Sequence, residues 1–161
     1  MFDECIGKPV MEQLRQAVDP VARFIHVCDE FKSGALDNDW IPQIASRGGH
    51  VVITSDGGQH SKRTEKLPLI CAEYGVTHVV MSGTLHQRQS HEKLAALIQV
   101  WNEIAKLHAE PPGGKYVLRY KSVKGHQAKV VIALEKFVPK PRRVEGEAPP
   151  AQPPGKDNSK G

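Results

Sequence analysis

The sequence predicts an α/β domain built on a central, mainly parallel sheet. Three observations predict it. Residues 50–54 (His-Val-Val-Ile-Thr) and 77–81 (Thr-His-Val-Val-Met) are short β-branched runs without polar alternation, as expected of strands buried on both faces. Amphipathic helical stripes lie between and after these runs. Strand and helix signals therefore alternate along the chain, which is the pattern of βαβ units with helices on both faces of one sheet.

Taken in order, Met1-Phe2 is a strand stub. Residues 10–18 carry Val10, Met11, Leu14, Ala17 and Val18 on one helical stripe, closed by Asp19-Pro20 because a residue before proline avoids the α region. Residues 23–28 (Arg-Phe-Ile-His-Val-Cys) read as a short strand. Residues 38–47 read as a helix burying Trp40, Ile41, Ile44 and Ala45, stopped by Gly48-Gly49. The strand at 50–54 leads through Gly57-Gly58 to a helix at about 61–74 that contains Pro68 and ends at Gly75. The strand at 77–81 follows. A helix at 90–108 places Leu94, Leu97, Ile98, Trp101, Ile104 and Ala105 on one stripe, and Pro111-Pro112-Gly113-Gly114 ends it. Residues 116–120 and 129–134 read as two strands of a hairpin turning near Lys124-Gly125. Trp40 and Trp101 lie on apolar stripes and read as core.

Composition changes near Pro139. Residues 139–161 hold six of the twelve prolines and almost no large apolar side chain, so they cannot bury enough surface to offset the entropy of ordering and read as a disordered tail. The expected organisation is a domain over 1–110, a C-terminal extension with a hairpin over 111–138, and the tail over 139–161. The whole chain is 39% hydrophobic and 25% charged, an ordinary globular balance. Lysine and arginine total 22 against 18 acids, for a net charge of +4 and a pI near 9.0, an excess compatible with a polyanionic partner without requiring one. Cys5, Cys28 and Cys71 are odd in number and form no CxxC pair, which argues against a disulfide framework or a zinc ribbon and for free thiols. No apolar run approaches the roughly 20 residues of a membrane span, and no basic region leads into an apolar one at the start, so no membrane partner and a cytoplasmic location are expected.

Ligands of open parallel sheets bind outside the carboxyl ends of the strands. Asp3 and Glu4 follow the first stub, Asp29 and Glu30 follow residues 23–28, Asp56 follows 50–54, and Asp37 precedes a helix. Carboxylates gathered at one edge repel each other unless cations neutralise them, and hard oxygen ligands suit Mg²⁺ or Mn²⁺. Each acid also has a plain structural explanation: a helix N-cap for Asp37, a turn residue for Asp56, a terminal residue for Asp3.

Three stretches change the balance. Asp3-Glu4-Cys5-Ile6-Gly7 before a helix resembles the Asp-Glu-Asn opening of bacterial PIN-like proteins. Gly34-Ala35-Leu36-Asp37-Asn38-Asp39-Trp40 is similar to their middle motif, and Val52-Ile53-Thr54-Ser55-Asp56 to their third. The resemblance runs over roughly residues 1–108, towards the VapC-type branch. It implies a three-layer α/β/α PIN-like fold and a Mg²⁺- or Mn²⁺-dependent endoribonuclease, often the toxin of a toxin–antitoxin pair. It further implies Asp3, Asp37 and Asp56 as catalytic metal ligands, Glu4 and Asp39 as accessory metal ligands, and Asp29 as a further candidate. RNA as substrate, an antitoxin protein and a homodimer are the partners it implies. The chain departs from the pattern at Cys5, where the family has asparagine, so a polar group is lost there. It departs again at Ser55, where relatives often carry arginine.

Lys62 and Arg63, just beyond Asp56, are candidates for holding RNA phosphates, the alternative being a solvated helix face. Lys115, Tyr116, Arg119, Tyr120 and Lys121 read as an exposed hairpin or a base-stacking surface. The histidines show no metal-binding spacing. The competing reading is a catalytically inactive PIN-like module that binds RNA or a protein.

Overall fold

A computed structural model describes residues 1–18, 23–49, 51–55, 66–123 and 129–136. A four-stranded sheet has the order β1 (Val51–Thr54), β2 (Thr77–Met81), β3 (Lys115–Val123), β4 (Lys129–Lys136). The first three strands are parallel, and β4 is antiparallel to β3. The sheet reaches further beside β1 through single bridges: Phe2 pairs in parallel with Ile53 on one side and His26 on the other. The expected α/β class with a mainly parallel sheet is thus what the chain adopts.

The helices are α1 (Lys8–Ala17), α2 (Val27–Glu30), α3 (Asp37–Ser46), α4 (Lys66–Glu73), α5 (Gly83–His86) and α6 (Ser90–Lys106), with 3₁₀ turns at Glu4–Ile6 and Leu107–Ala109. Successive strand residues face opposite sides, and the two cores follow that period. Ile53, Val79, Met81 and Leu118 pack with Leu14 of α1 and Leu97 and Trp101 of α6. Val52 packs on the other side with Trp40, Ile41 and Ile44 of α3 and Ile70 and Cys71 of α4. The sheet is the middle of three layers, and both tryptophans are core.

Several boundaries differ from the sequence expectation, for physical reasons. Residues 23–28 form no strand. Among the described residues their partner is the Phe2 stub, which is one residue long as a ladder, so pairing stops at His26. The His26 ring then accepts the Cys28 backbone N–H at 3.3 Å and starts α2. Asp29 therefore sits in a helical turn, not at a strand end. Asp37 is the first residue inside α3, with Leu36 at the cap position, so it is not an N-cap. Helix α5 was not anticipated, being four residues long and too short for a period. Lys115–Val123 joins β2 in parallel as well as forming the hairpin. Asp56, Lys62, Arg63, the turn at Lys124-Gly125 and the tail from Pro139 lie outside the described residues.

The approach to β1 depends on Gly49. Its N–H donates to the Ile44 carbonyl at 2.7 Å, and a Cβ at this position would lie 2.7 Å from that same oxygen. Only glycine lets the chain fold back so tightly from α3 into the sheet.

Candidate metal and nuclease site at the carboxyl edge

Because β1, β2 and the Phe2 stub run in parallel, Asp3, Ser55 and Ser82 leave the sheet at the same edge. The Asp3 N–H donates to the Ile53 carbonyl at 3.1 Å, so the acid is tied to the end of β1. Its side chain caps the following 3₁₀ turn, one oxygen accepting the Glu4 N–H at 2.8 Å. The other oxygen accepts the Cys5 thiol at 3.0 Å. The carboxylate is half-buried and held by two donors, one on each oxygen.

Cys5 is the centre of this arrangement. Its sulfur donates to Asp3 and accepts the Ser55 N–H at 3.1 Å, while its carbonyl accepts the Ser55 hydroxyl at 2.6 Å. Burial pushes the Cys5 thiol up to about 12, and the charge of Asp3 adds to the rise. A thiol that stays protonated is a permanent donor to the carboxylate. The sequence reading, in which Cys5 merely removes a polar group, is corrected here: the thiol supplies a donor at the position where the family has an amide.

Glu4 faces a different neighbour. One carboxylate oxygen accepts the Gly34 N–H at 2.7 Å, and the other lies 3.4 Å from the Ser33 hydroxyl. Gly34 has φ +75°, a left-handed conformation that glycine adopts without strain, and this turns its N–H towards Glu4. Glu4 thereby holds the loop that delivers Asp37 to the same edge, since α3 starts there and runs back to Gly48-Gly49 and the start of β1. Asp37 is half-buried at the first position of α3, where the positive end of the helix dipole favours a carboxylate. Across the gap to α4, burial raises the Cys71 thiol to about 12, with the charge of Asp37 contributing.

Asp39 is exposed on the first turn of α3. Two residues on a helix are about 200° apart, so it does not share a face with Asp37. Asp29 is paired with Lys8, whose ammonium holds the carboxyl below its usual range. Burial raises the exposed Cys28 thiol, and a hydrogen bond to Glu4 and the charges of Glu4, Asp29 and Asp3 add to the rise. Asp3, Glu4, Cys28 and Asp29 therefore form one acidic corner. Among the described residues no group of three or more His, Cys, Asp or Glu side chains has metal-binding geometry. The carboxylates present still suit a hard divalent cation, because each Asp3 oxygen keeps a lone pair beyond its one donor.

Two histidines that bond to residues at the end of β1 carried no sequence signal. His78 on β2 is 3% exposed, with its Nε2 3.0 Å from the Thr54 hydroxyl. Burial lowers it to about 4, and the charge of Lys115 adds to the fall. His86, exposed at the end of α5, places Nδ1 3.1 Å from the Ser55 hydroxyl. A cavity of about 580 Å³ opens at the opposite, amino edge, lined by Phe2, Phe24, Ile44, Val51 and Trp101 among others, and contains none of these acids. No described helix is long and apolar enough to cross a membrane.

A family model described as a PIN-like domain matches residues 1–82, which takes in the acidic corner, β1 and β2 and stops before α5. No curated protein and no solved structure matches the chain. With 82 of its 161 residues covered by that model, and with the three-layer architecture around a parallel sheet, the chain belongs to the PIN-like domain family.

Proposed function

We propose that the chain is a Mg²⁺- or Mn²⁺-dependent endoribonuclease, with Asp3, Asp37 and Asp56 as the metal ligands. PIN-like domains are generally nucleases, and the observation that carries the reading is the clamped Asp3 carboxylate at the end of β1. Ser55, bonded to Cys5 by backbone and side chain, is the residue immediately before Asp56, which favours a meeting of Asp56 with Asp3. Glu4, holding the 33–34 loop, supports Asp37 more than it supplies a ligand. A divalent cation bound here would supply an activated water and neutralise charge on the phosphodiester. Lys62 and Arg63 follow Asp56 in the chain and are proposed as phosphate contacts.

The decisive test is cleavage of a single-stranded RNA oligonucleotide with Mn²⁺, with EDTA, and by Asp3→Asn. The reading expects chelation to stop cleavage, and the variant to lose at least ~100-fold in rate while keeping its circular dichroism, as removal of a charged group from a preorganised site does. Full activity of folded Asp3→Asn sinks it. The competing reading, an inactive module binding RNA or protein, draws on the engagement of both Glu4 oxygens with the 33–34 loop. Titration calorimetry separates the two: no heat at millimolar Mn²⁺ favours the module. The role of toxin, with an antitoxin protein as partner and a homodimeric state, extends the resemblance to the VapC-type branch. A small adjacent open reading frame whose product co-purifies with this chain would support it.

A further inference from the structure

The Ser55 hydroxyl has one hydrogen and two neighbours. The Cys5 carbonyl at 2.6 Å can only accept, so the hydrogen lies on that line. The His86 Nδ1 at 3.1 Å must then be the donor, and this fixes the ring with its proton on Nδ1. A continuous series results: His86 N–H to Ser55 hydroxyl, Ser55 hydroxyl to Cys5 carbonyl, Ser55 N–H to Cys5 sulfur, and Cys5 S–H to the Asp3 carboxylate. Every member is used in one direction only. Ser55 is fully buried in the folded chain, with the Cys5 carbonyl and the His86 ring as the partners of its hydroxyl.

We infer that His86 is a positioning residue, whose Nδ1–H locks Ser55 and, through Ser55 and Cys5, aims the Asp3 carboxylate. The functional part of this inference rests on the nuclease reading; the structural part does not. His86 comes from α5, directly after β2, so it ties the segment following one parallel strand to the acid that follows another. Its link to the Asp3 carboxylate passes through Ser55 and Cys5.

The test uses the full chain and the variants His86→Ala and His86→Asn. The asparagine amide nitrogen sits at the same branch position as Nδ1 and keeps the donor. In metal-free protein, the rate of Cys5 alkylation by N-ethylmaleimide, read by mass mapping, should rise about fivefold in His86→Ala and return to within about twofold of wild type in His86→Asn, the change expected for one lost hydrogen bond. By calorimetry, His86→Ala should bind Mn²⁺ about fivefold more weakly, with the same rescue. In cleavage assays kcat at saturating RNA should fall while KM for RNA stays unchanged. Unchanged alkylation in His86→Ala overturns the inference. So does a rise in KM with kcat intact, which would make His86 a substrate contact. A wild-type chain that binds no Mn²⁺ and cleaves no RNA overturns the nuclease reading alone, because the alkylation arm still decides the role of His86.

Discussion

At the scale of the residue, the site depends on how one carboxylate is satisfied. Asp3 takes a backbone donor and a thiol donor, and the thiol is in turn held by Ser55. Replacing Cys5 with alanine leaves the Asp3 oxygen and the Ser55 N–H each short of a partner. Cys5→Ala should therefore lower unfolding free energy by about 1–3 kcal/mol, and Cys5→Ser, which keeps a donor and an acceptor, by clearly less. Urea unfolding followed by tryptophan fluorescence measures both. This part of the site was only half legible in the sequence. The positions of Asp3 and Asp37 followed from motif order, since an acid after a strand or at a helix start reaches a predictable edge. The use of Cys5 as a donor did not, because a thiol's partners depend on burial and on a residue fifty positions away. His86 was illegible for the same reason.

At the scale of the element, strands β1 and β2 were readable because both faces of each are buried and their composition says so. Residues 23–28 have a similar composition, yet form one bridge and a turn of helix. Composition reports what a segment would bury, not how long its partner is. The junction of β1 and β2 also carries a titratable group. His78 is buried and lowered to about 4 from 6.5, so between those values the unfolded chain binds the extra proton and the folded chain resists it. Its contribution is complete above pH 6.5 and is lost as pH falls towards 4, up to about 3 kcal/mol. Urea midpoints measured from pH 7 to 4 should fall, and His78→Asn should flatten that part of the profile. Gly49 makes a second test. Gly49→Ala forces a Cβ against the Ile44 carbonyl and should cost on the order of 1–3 kcal/mol, read as a lower thermal midpoint.

At the scale of the whole molecule, two cores share one sheet, and the strand that completes it comes from far along the chain. Leu118 of β3 lies in the same core as Leu14 and Leu97, and Met81 of β2 pairs with it. The sequence presented residues 116–120 and 129–134 as a separate hairpin because hairpin pairing is local, whereas the parallel pairing of β2 with β3 is not. A chain truncated after residue 114 leaves β2 with an unpaired edge and part of the core uncovered, and should fail to give dispersed amide resonances. Leu97→Ala, fully buried on α6, should cost about 2–5 kcal/mol by denaturation.

The three thiols of the acidic corner and its surroundings are chemically unequal, and this has a practical consequence. Burial pushes the Cys5 and Cys71 thiols up to about 12, so at pH 8 almost none of either is thiolate, while Cys28, also raised, is open to solvent beside Glu4. A bulky maleimide fluorophore or spin label should therefore attach at Cys28 well before Cys5 or Cys71, without mutagenesis. It would sit a few atoms from Glu4, and quenching or line broadening on adding paramagnetic Mn²⁺ would test the proposed metal site directly. The chain carries its own attachment point for an optical or magnetic ruler to the edge that holds Asp3 and Glu4.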